Sequence, residues 1–467
     1  MATITTTTTT SSSSSSSPLS DGSDVLSPST DNTDSSGLGS SNENLQTFVT
    51  PTFEQRRKLV LCFDGTNGTF KSNAGDSNIV KLCQLFDRRT EDQYHYYQPG
   101  IGTYTPAPAE ASYTSRDLIR TLTEKFDLAF GTSFPSHVIS GYMFLTRYFT
   151  PGSTIHLFGF SRGAYTARFL ADMLSKIGLL SAGNEEMIQF AYRSYVSYLE
   201  AKDGSKDEEE KRVYMESFRE TYCRSVRVET LGLFDTVGSI AIFREGFPKV
   251  KEAPAKHIRH AIAIDERRSR FRPTIFEWEE LNRNDGEGSF KEEWFAGDHT
   301  DIGGGHYPDP QGPTPKDGDA SKSLKGYEAE AHSIGNVALS WMVQEIIAIQ
   351  SQSLPEKERL TWKEEKVEAL KKAAEVAAKI GRWHSNLDLK RMGPVAERST
   401  LRRGFAHLRN FIEWGFWWFV EFTPPWKPQF GKRRLIPEGA VIHTSVHVKI
   451  KHDATYRPTN IPSKLVE

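Results

Sequence analysis

Short apolar runs alternate with longer segments of helical spacing along most of this 467-residue chain. Lys58–Asp64 (KLVLCFD) is almost wholly apolar and ends in Asp64-Gly65-Thr66-Asn67-Gly68, the pattern of a buried strand that runs into a turn. Tyr94–Gln98, Ser153–Phe160, Val228–Phe234 and Glu293–Gly297 read as further strands. Helical spacing marks 115–130 and 136–149, and another helix opens at Ser161–Arg168. Strands separated by helices predict an α/β fold, a mostly parallel sheet with helices on both faces, decorated by helical inserts. Ligands bind such sheets at the carboxyl ends of the strands, and four of the ends carry Asp, Ser or His.

The flanks differ in texture. Residues 1–55 are rich in Ser and Thr and contain no Lys or Arg. Their few apolar side chains do not offset the entropy of ordering the chain, so a disordered tail is expected. A single α/β domain is expected over 56–467, with its core at about 56–345 and a helical C-terminal part at 346–467. Residues 202–212 read as an exposed charge run, 307–322 as a loop and 355–380 as a charged surface helix.

Lys and Arg total 58 against 60 Asp and Glu, a net charge of -2. That excludes a strongly basic nucleic-acid binder. Three well-separated cysteines exclude a disulfide scaffold and a cysteine-rich zinc site, and they fit a reducing compartment. No apolar stretch approaches the roughly 20 residues of a membrane span. The first residues lack both the basic start and the apolar core of a signal peptide, so the expected location is cytoplasmic.

Gly159-Phe160-Ser161-Arg162-Gly163 matches G-x-S-x-G. The pattern alone is common, but here it follows an apolar strand and opens a helix, which a nucleophile elbow requires. A nucleophilic serine needs a base and an orienting acid, in the chain order Ser…Asp…His for this fold. Two completions satisfy that order. Ser161–Asp301–His443 places acid and base after successive late strands and is the preferred reading; Ser161–Asp235–His299 is the alternative. His95, His156, His257 and His260 read as structural. The oxyanion-binding amides are assigned to Arg162, the residue after the nucleophile, and to Gly65 or Thr66 in the first turn. Asp64 is left to cap its turn, to orient the loop or to hold a cation. The chemistry requires no metal and no organic cofactor.

The segments LVLCFDGTNG, YYQPGIGT, LFGFSRGAYTAR, LGLFDTVGS, HAIAIDERRSRF and WFAGDHTDIGGGH, in this order, resemble the catalytic domain of the phospholipase effectors of type VI secretion and their fungal relatives. The resemblance is strong over roughly 56–345 and looser over 405–450. It implies an α/β-hydrolase core, a Ser-Asp-His triad and, in the bacterial effectors, phospholipase A activity on membrane glycerophospholipids. Ser161 carries over directly. Asp235, His299 and Asp301 all lie in matching motifs, and the late VIHTSV block supports His443.

The expected function is therefore a serine hydrolase that cleaves carboxylic esters, phospholipids among them, through an acyl-enzyme on Ser161. A catalytically silent hydrolase-fold protein that binds a lipid or a protein partner is the alternative. A glycosidase built on Asp64, Asp235 and Asp301 is a third reading. Asp265, Glu266, Arg267 and Arg268 read as an ion-pair network rather than a head-group site. The aromatic segment 404–433, with its basic flank Lys432, Arg433 and Arg434, reads as core rather than as a peripheral membrane contact.

Overall fold

The computed structural model describes residues 56–66, 68–73, 75–100, 133–238, 250, 254–276, 288–305, 333–385, 387–388, 414–415, 418 and 431–462. The tail expected over 1–55, the helix at 115–130 and the loop at 307–322 lie outside the described residues, as does most of 404–433.

Among the described residues, seven parallel strands form the central sheet. They are β1 (Lys58–Phe63), β2 (Gln93–Gln98), β3 (Thr154–Phe160), β6 (Val228–Phe234), β7 (Ala255–Ala263), β8 (Ser289–Phe295) and β9 (Val441–Ile442), in the order β2-β1-β3-β6-β7-β8-β9. The two-residue strands β4 (Leu179–Leu180) and β5 (Cys223–Arg224) pair separately and antiparallel. Helices cover both faces, so β1 is buried along its whole length, as expected of a strand inside a doubly covered parallel sheet.

Side chains alternate across a strand, and β1 divides accordingly between two cores. Leu59, Leu61 and Phe63 join a cluster with the helix α2 at 133–148 and with α3 (Arg162–Ile177), α4 (Ile188–Glu200) and α5 (Lys206–Tyr222). Val60 and Cys62 join the opposite cluster, with α1 (Asn78–Leu85), α7 (Gly335–Ser353) and α8 (Glu364–Ile380). Between β8 and α7 lies the five-residue helix α6 (His299–Gly303), and α9 (Thr444–His452) follows β9.

Several expectations shift. Much of the exposed run at 202–212 is helical, because Ser205 caps α5 by accepting from the Glu208 N–H. The β8 strand ends at Phe295, two residues before the expected limit. Strand β7 is an addition to the elements read from the pattern, and so is β9. The surface helix within 355–380 buries a stripe of Leu370, Ala373, Ala374 and Ala377.

Candidate active site

The carboxyl ends of β1, β3, β6 and β8 all face the same edge of the sheet, and each delivers one polar residue there. The chain turns sharply at Ser161, between β3 and α3, where φ is 57° and ψ is -123°. A side-chain-bearing residue held at such angles costs on the order of 1–3 kcal/mol, so the surroundings must impose it. The Ser161 N–H donates to the Phe234 carbonyl at 3.0 Å, and the Ser161 carbonyl accepts from Tyr165 at 3.2 Å and Val237 at 3.3 Å. The flanking glycines are steric requirements. A Cβ at Gly159 would lie 2.5 Å from Ala164 Cα, and one at Gly163 would lie 2.3 Å from the Phe63 carbonyl oxygen.

His299 reaches the serine because of how α6 begins. Asp298 is its N-cap, accepting from the N–H groups of Thr300 and Asp301, while the Asp301 carboxylate accepts from the Asp298 N–H. This reciprocal capping box starts the helix abruptly and makes His299 its first residue. The His299 N–H donates to Glu266 Oε2 at 3.2 Å. Its ring lies 4.8 Å from the Phe160 ring and 4.8 Å from the Phe271 ring.

His299 Nε2 is 2.8 Å from Ser161 Oγ, and Nδ1 is 2.5 Å from Asp235 Oδ2. An ionised carboxylate only accepts, so the imidazole proton resides on Nδ1 and the Nε2 lone pair accepts from the serine hydroxyl. Ser161 and His299 are each 4% exposed and Asp235 is 0% exposed. The series is thus shielded from water, where hydrogen bonds are stronger.

Asp235 is held on every side. Arg434 donates to Oδ1 at 2.6 Å and to Oδ2 at 2.9 Å, and the Ala263 N–H donates to Oδ1 at 2.9 Å. Complete burial pushes the carboxyl up, but the Arg434 charge and the bond from His299 outweigh it and hold the group well below the usual carboxylate range. Arg434 also donates to the carbonyls of Ala263 and Phe271.

The preferred series Ser161–Asp301–His443 is not assembled. Asp301 accepts from His384 at both Nδ1 (2.6 Å) and the backbone N–H (2.7 Å), in addition to the Asp298 N–H. His443 caps α9, lies 2.7 Å from Ser445 Oγ and stacks on Phe295 with centroids 4.4 Å apart. Both imidazole and acid are consumed by local structure. The alternative Ser161–Asp235–His299 is the one brought together.

The loop after β1 lies against the elbow. A Cβ on Gly65 would meet the Phe160 ring at 2.6 Å. Asp64 holds this loop: Oδ1 accepts from Gly65 at 2.7 Å, and Oδ2 accepts from Ser77 at 2.7 Å and Tyr97 at 2.8 Å. Burial raises its pKa against the pull of those bonds. The Gly65 amide is therefore spent on Asp64, which corrects its assignment as an oxyanion donor. The Thr66 hydroxyl in the same turn is buried without a hydrogen-bond partner. Among the described residues, no group of three or more His, Cys, Asp or Glu is placed to hold a metal ion.

The network around Asp265–Arg268 is largely structural. Arg268 binds Glu266 through Nε at 2.9 Å and Nη2 at 2.7 Å. Asp265 accepts from Arg433, Tyr456 and the Gly297 N–H. His260 bridges Glu292 and the Thr236 N–H. Sequence reasoning missed the support that Arg434 and Glu266 give the site. Arg434 was visible only as part of a Lys-Arg-Arg run, which carries no mark of a buried partner. In the aromatic segment, the indole N–H groups of Trp414 and Trp418 both donate to the Leu387 carbonyl at 3.3 Å.

A parallel sheet with helices on both faces, an elbow serine and a histidine linked to a buried acid define an α/β-hydrolase-type domain. Residues 57–345 match the family described as T6SS phospholipase effector Tle1-like, catalytic domain. The match spans more than half of the chain, and the chain belongs to this family. An uncharacterized protein of Saccharomyces cerevisiae, YEL023C, is 37% identical over 225 residues, which is 47% of this chain and 33% of that protein. The match thus spans about a third of that relative's length. The solved Tle1 effector bound to the VgrG spike of the type VI secretion system is 16% identical, with a TM-score of 0.33, over 76% of this chain and 84% of that one.

Proposed function

We propose that this domain is a serine hydrolase that cleaves carboxylic esters, with phospholipids as the substrate class its family suggests. The observation that carries the reading is the unbroken series Ser161 Oγ–His299 Nε2–Asp235, at 2.8 and 2.5 Å.

The chemistry follows from those positions. His299 Nε2 takes the hydroxyl proton as Ser161 Oγ attacks the ester carbonyl carbon. Asp235 keeps the imidazole in the tautomer that accepts at Nε2 and balances the imidazolium that forms. The oxyanion is assigned to the amide of Arg162, which opens the 16-residue helix α3, and to the Thr66 turn; helix-start amides suit a developing negative charge. Collapse of the tetrahedral intermediate breaks the ester C–O bond, and His299 passes its proton to the departing alcohol. Water then attacks the acyl-enzyme with His299 again as the base, releasing the acid and restoring the Ser161 hydroxyl. No helix among the described residues is long and apolar enough to cross a membrane. Action on a bilayer from the cytoplasm, by peripheral contact, belongs to the same proposal.

A fluorophosphonate probe tests the reading directly. Wild type and His443→Ala are expected to label, whereas Ser161→Ala and His299→Ala are not. Folded wild type that fails to label, or labelling that survives Ser161→Ala, would defeat it.

A further inference from the structure

We infer that a basic cleft behind Asp235 is a binding site for a phosphate group, and that the headgroup of an anionic lipid is the source its rim favours. The cleft has a volume of about 800 Å³ and is lined by Arg267, Lys432, Arg433 and Arg434 on its polar side. No Asp or Glu is among its described lining residues, and neither Ser161 nor His299 lines it. It is therefore separate from the ester-cleaving position and does not depend on that chemistry.

Two of the four cations are already neutralised outside the cleft, Arg433 by Asp265 at 2.8 Å and Arg434 by Asp235. The other two carry the excess. Lys432 is exposed and makes no ion pair among the described residues. Arg267 donates through Nε to the Gly431 carbonyl at 2.5 Å. Burial and then the Arg433 charge both lower its pKa, against the weaker opposing pull of Asp388, Glu266 and Asp265. Arg434 is 5% exposed, and its Nε is buried without a hydrogen-bond partner. Like charges gathered around one cavity repel. A bound oxyanion relieves that repulsion, and guanidinium groups match the geometry of phosphate.

The rim selects the source. Leu435 lines the cleft and is 94% exposed, and Ile461 and Pro462 line it as well. An apolar side chain projecting beside Lys432 and Arg267 suits a lipid–water interface, where the leucine enters the acyl boundary as the cations meet the headgroups.

The test uses the full chain in a Ser161→Ala background, so that no lipid is turned over. Calorimetry with inorganic phosphate at fixed ionic strength reads the site. Flotation with phosphatidylcholine vesicles, with and without phosphatidic acid, reads the source. Lys432→Glu combined with Arg267→Gln is expected to weaken phosphate binding at least tenfold and to abolish flotation, and the exposed Lys432→Glu alone to weaken binding several-fold. Leu435→Ser is expected to lose flotation and keep phosphate binding. Flotation that survives the Lys432→Glu and Arg267→Gln double variant while phosphate binding is lost would keep the phosphate site and reject the lipid as its source. Parent protein that binds neither phosphate nor vesicles overturns the proposal. So does a double variant with an unchanged unfolding midpoint that binds both as before.

Discussion

Arg434 clasps Asp235 through two parallel bonds, Nη1 to Oδ1 at 2.6 Å and Nη2 to Oδ2 at 2.9 Å, with side-chain exposures of 4% and 0%. The two residues are almost two hundred positions apart, so this fork ties the C-terminal part of the domain to the acid that orients His299. Losing one partner leaves a buried charge uncompensated, at a cost of about 3–5 kcal/mol. Arg434→Met is therefore expected to lower stability by that amount in urea denaturation and to slow probe labelling of the folded fraction. Arg434→Lys keeps the charge but not the fork, and should fall between wild type and Arg434→Met. Because the Asp235 carboxyl is held below its ordinary value, the stabilisation is complete above the unfolded carboxylate pKa of about 4. It is lost only as the pH falls through the lower, folded value.

The two His–Asp pairs near the sheet edge separate catalytic from structural roles. Asp235→Asn should reduce labelling of the folded fraction by about 10⁴-fold, because an amide no longer fixes the tautomer of His299, and should also cost about 3–5 kcal/mol of stability, because Arg434 is left buried without its countercharge. Asp301→Asn breaks the buried pair with His384, whose bond is 2.6 Å. The loss of a carboxylate acceptor for the His384 ring and backbone N–H should cost about 1–3 kcal/mol while the folded protein still labels. Comparable activity losses in the two variants would show that Asp301 acts in the chemistry after all.

Much of this site was legible in the sequence. The elbow, its flanking glycines, the strand Val228–Phe234 and the polar strand ends all follow from local patterns whose physics is local. The choice between His299 and His443 does not, because both completions satisfy the chain order. What decides it is the start of α6: Asp298 and Asp301 form a capping box that absorbs Asp301 and leaves His299 facing the elbow. The Asp-His-Thr-Asp spacing contains that box in compact form, with Asp at both the N-cap and N3 positions. The β9 strand, at two residues, is too short for any periodicity to reveal. The partnership of Arg434 with Asp235 depends on tertiary contact alone.

The backbone at Ser161 predicts a difference between two inactive variants. Its φ of 57° suits glycine and strains any residue with a Cβ. Ser161→Gly and Ser161→Ala should both abolish labelling. Ser161→Gly is expected to be the more stable by about 1 kcal/mol, visible as a higher unfolding midpoint. Equal midpoints would mean that the elbow stores no strain at this position.

Opposing titrations set the pH dependence of stability. Burial lowers the pKa of His156 to about 3 and those of His95 and His443 to about 4. These histidines must be neutral in the fold, so their contribution is full above about pH 6.5, the unfolded value, and is lost as the pH falls toward 4. Asp265 runs the other way. Burial raises its carboxyl to about 6, against the bond from Gly297 and the Arg433 charge. Between about pH 6 and 4 the folded state therefore binds a proton that the unfolded state does not, and stability rises as the pH falls. The histidines outnumber this single group, so wild type should lose stability on acidification from pH 7 to 4.5. Asp265→Asn removes the opposing contribution, which is roughly 2 kcal/mol between pH 7 and 4.5. The decline between those two pH values should therefore be steeper in Asp265→Asn than in wild type. Urea denaturation of both proteins at pH 7 and 4.5 measures it, and a shallower decline in Asp265→Asn would mean that the buried carboxyl is ionised throughout the range.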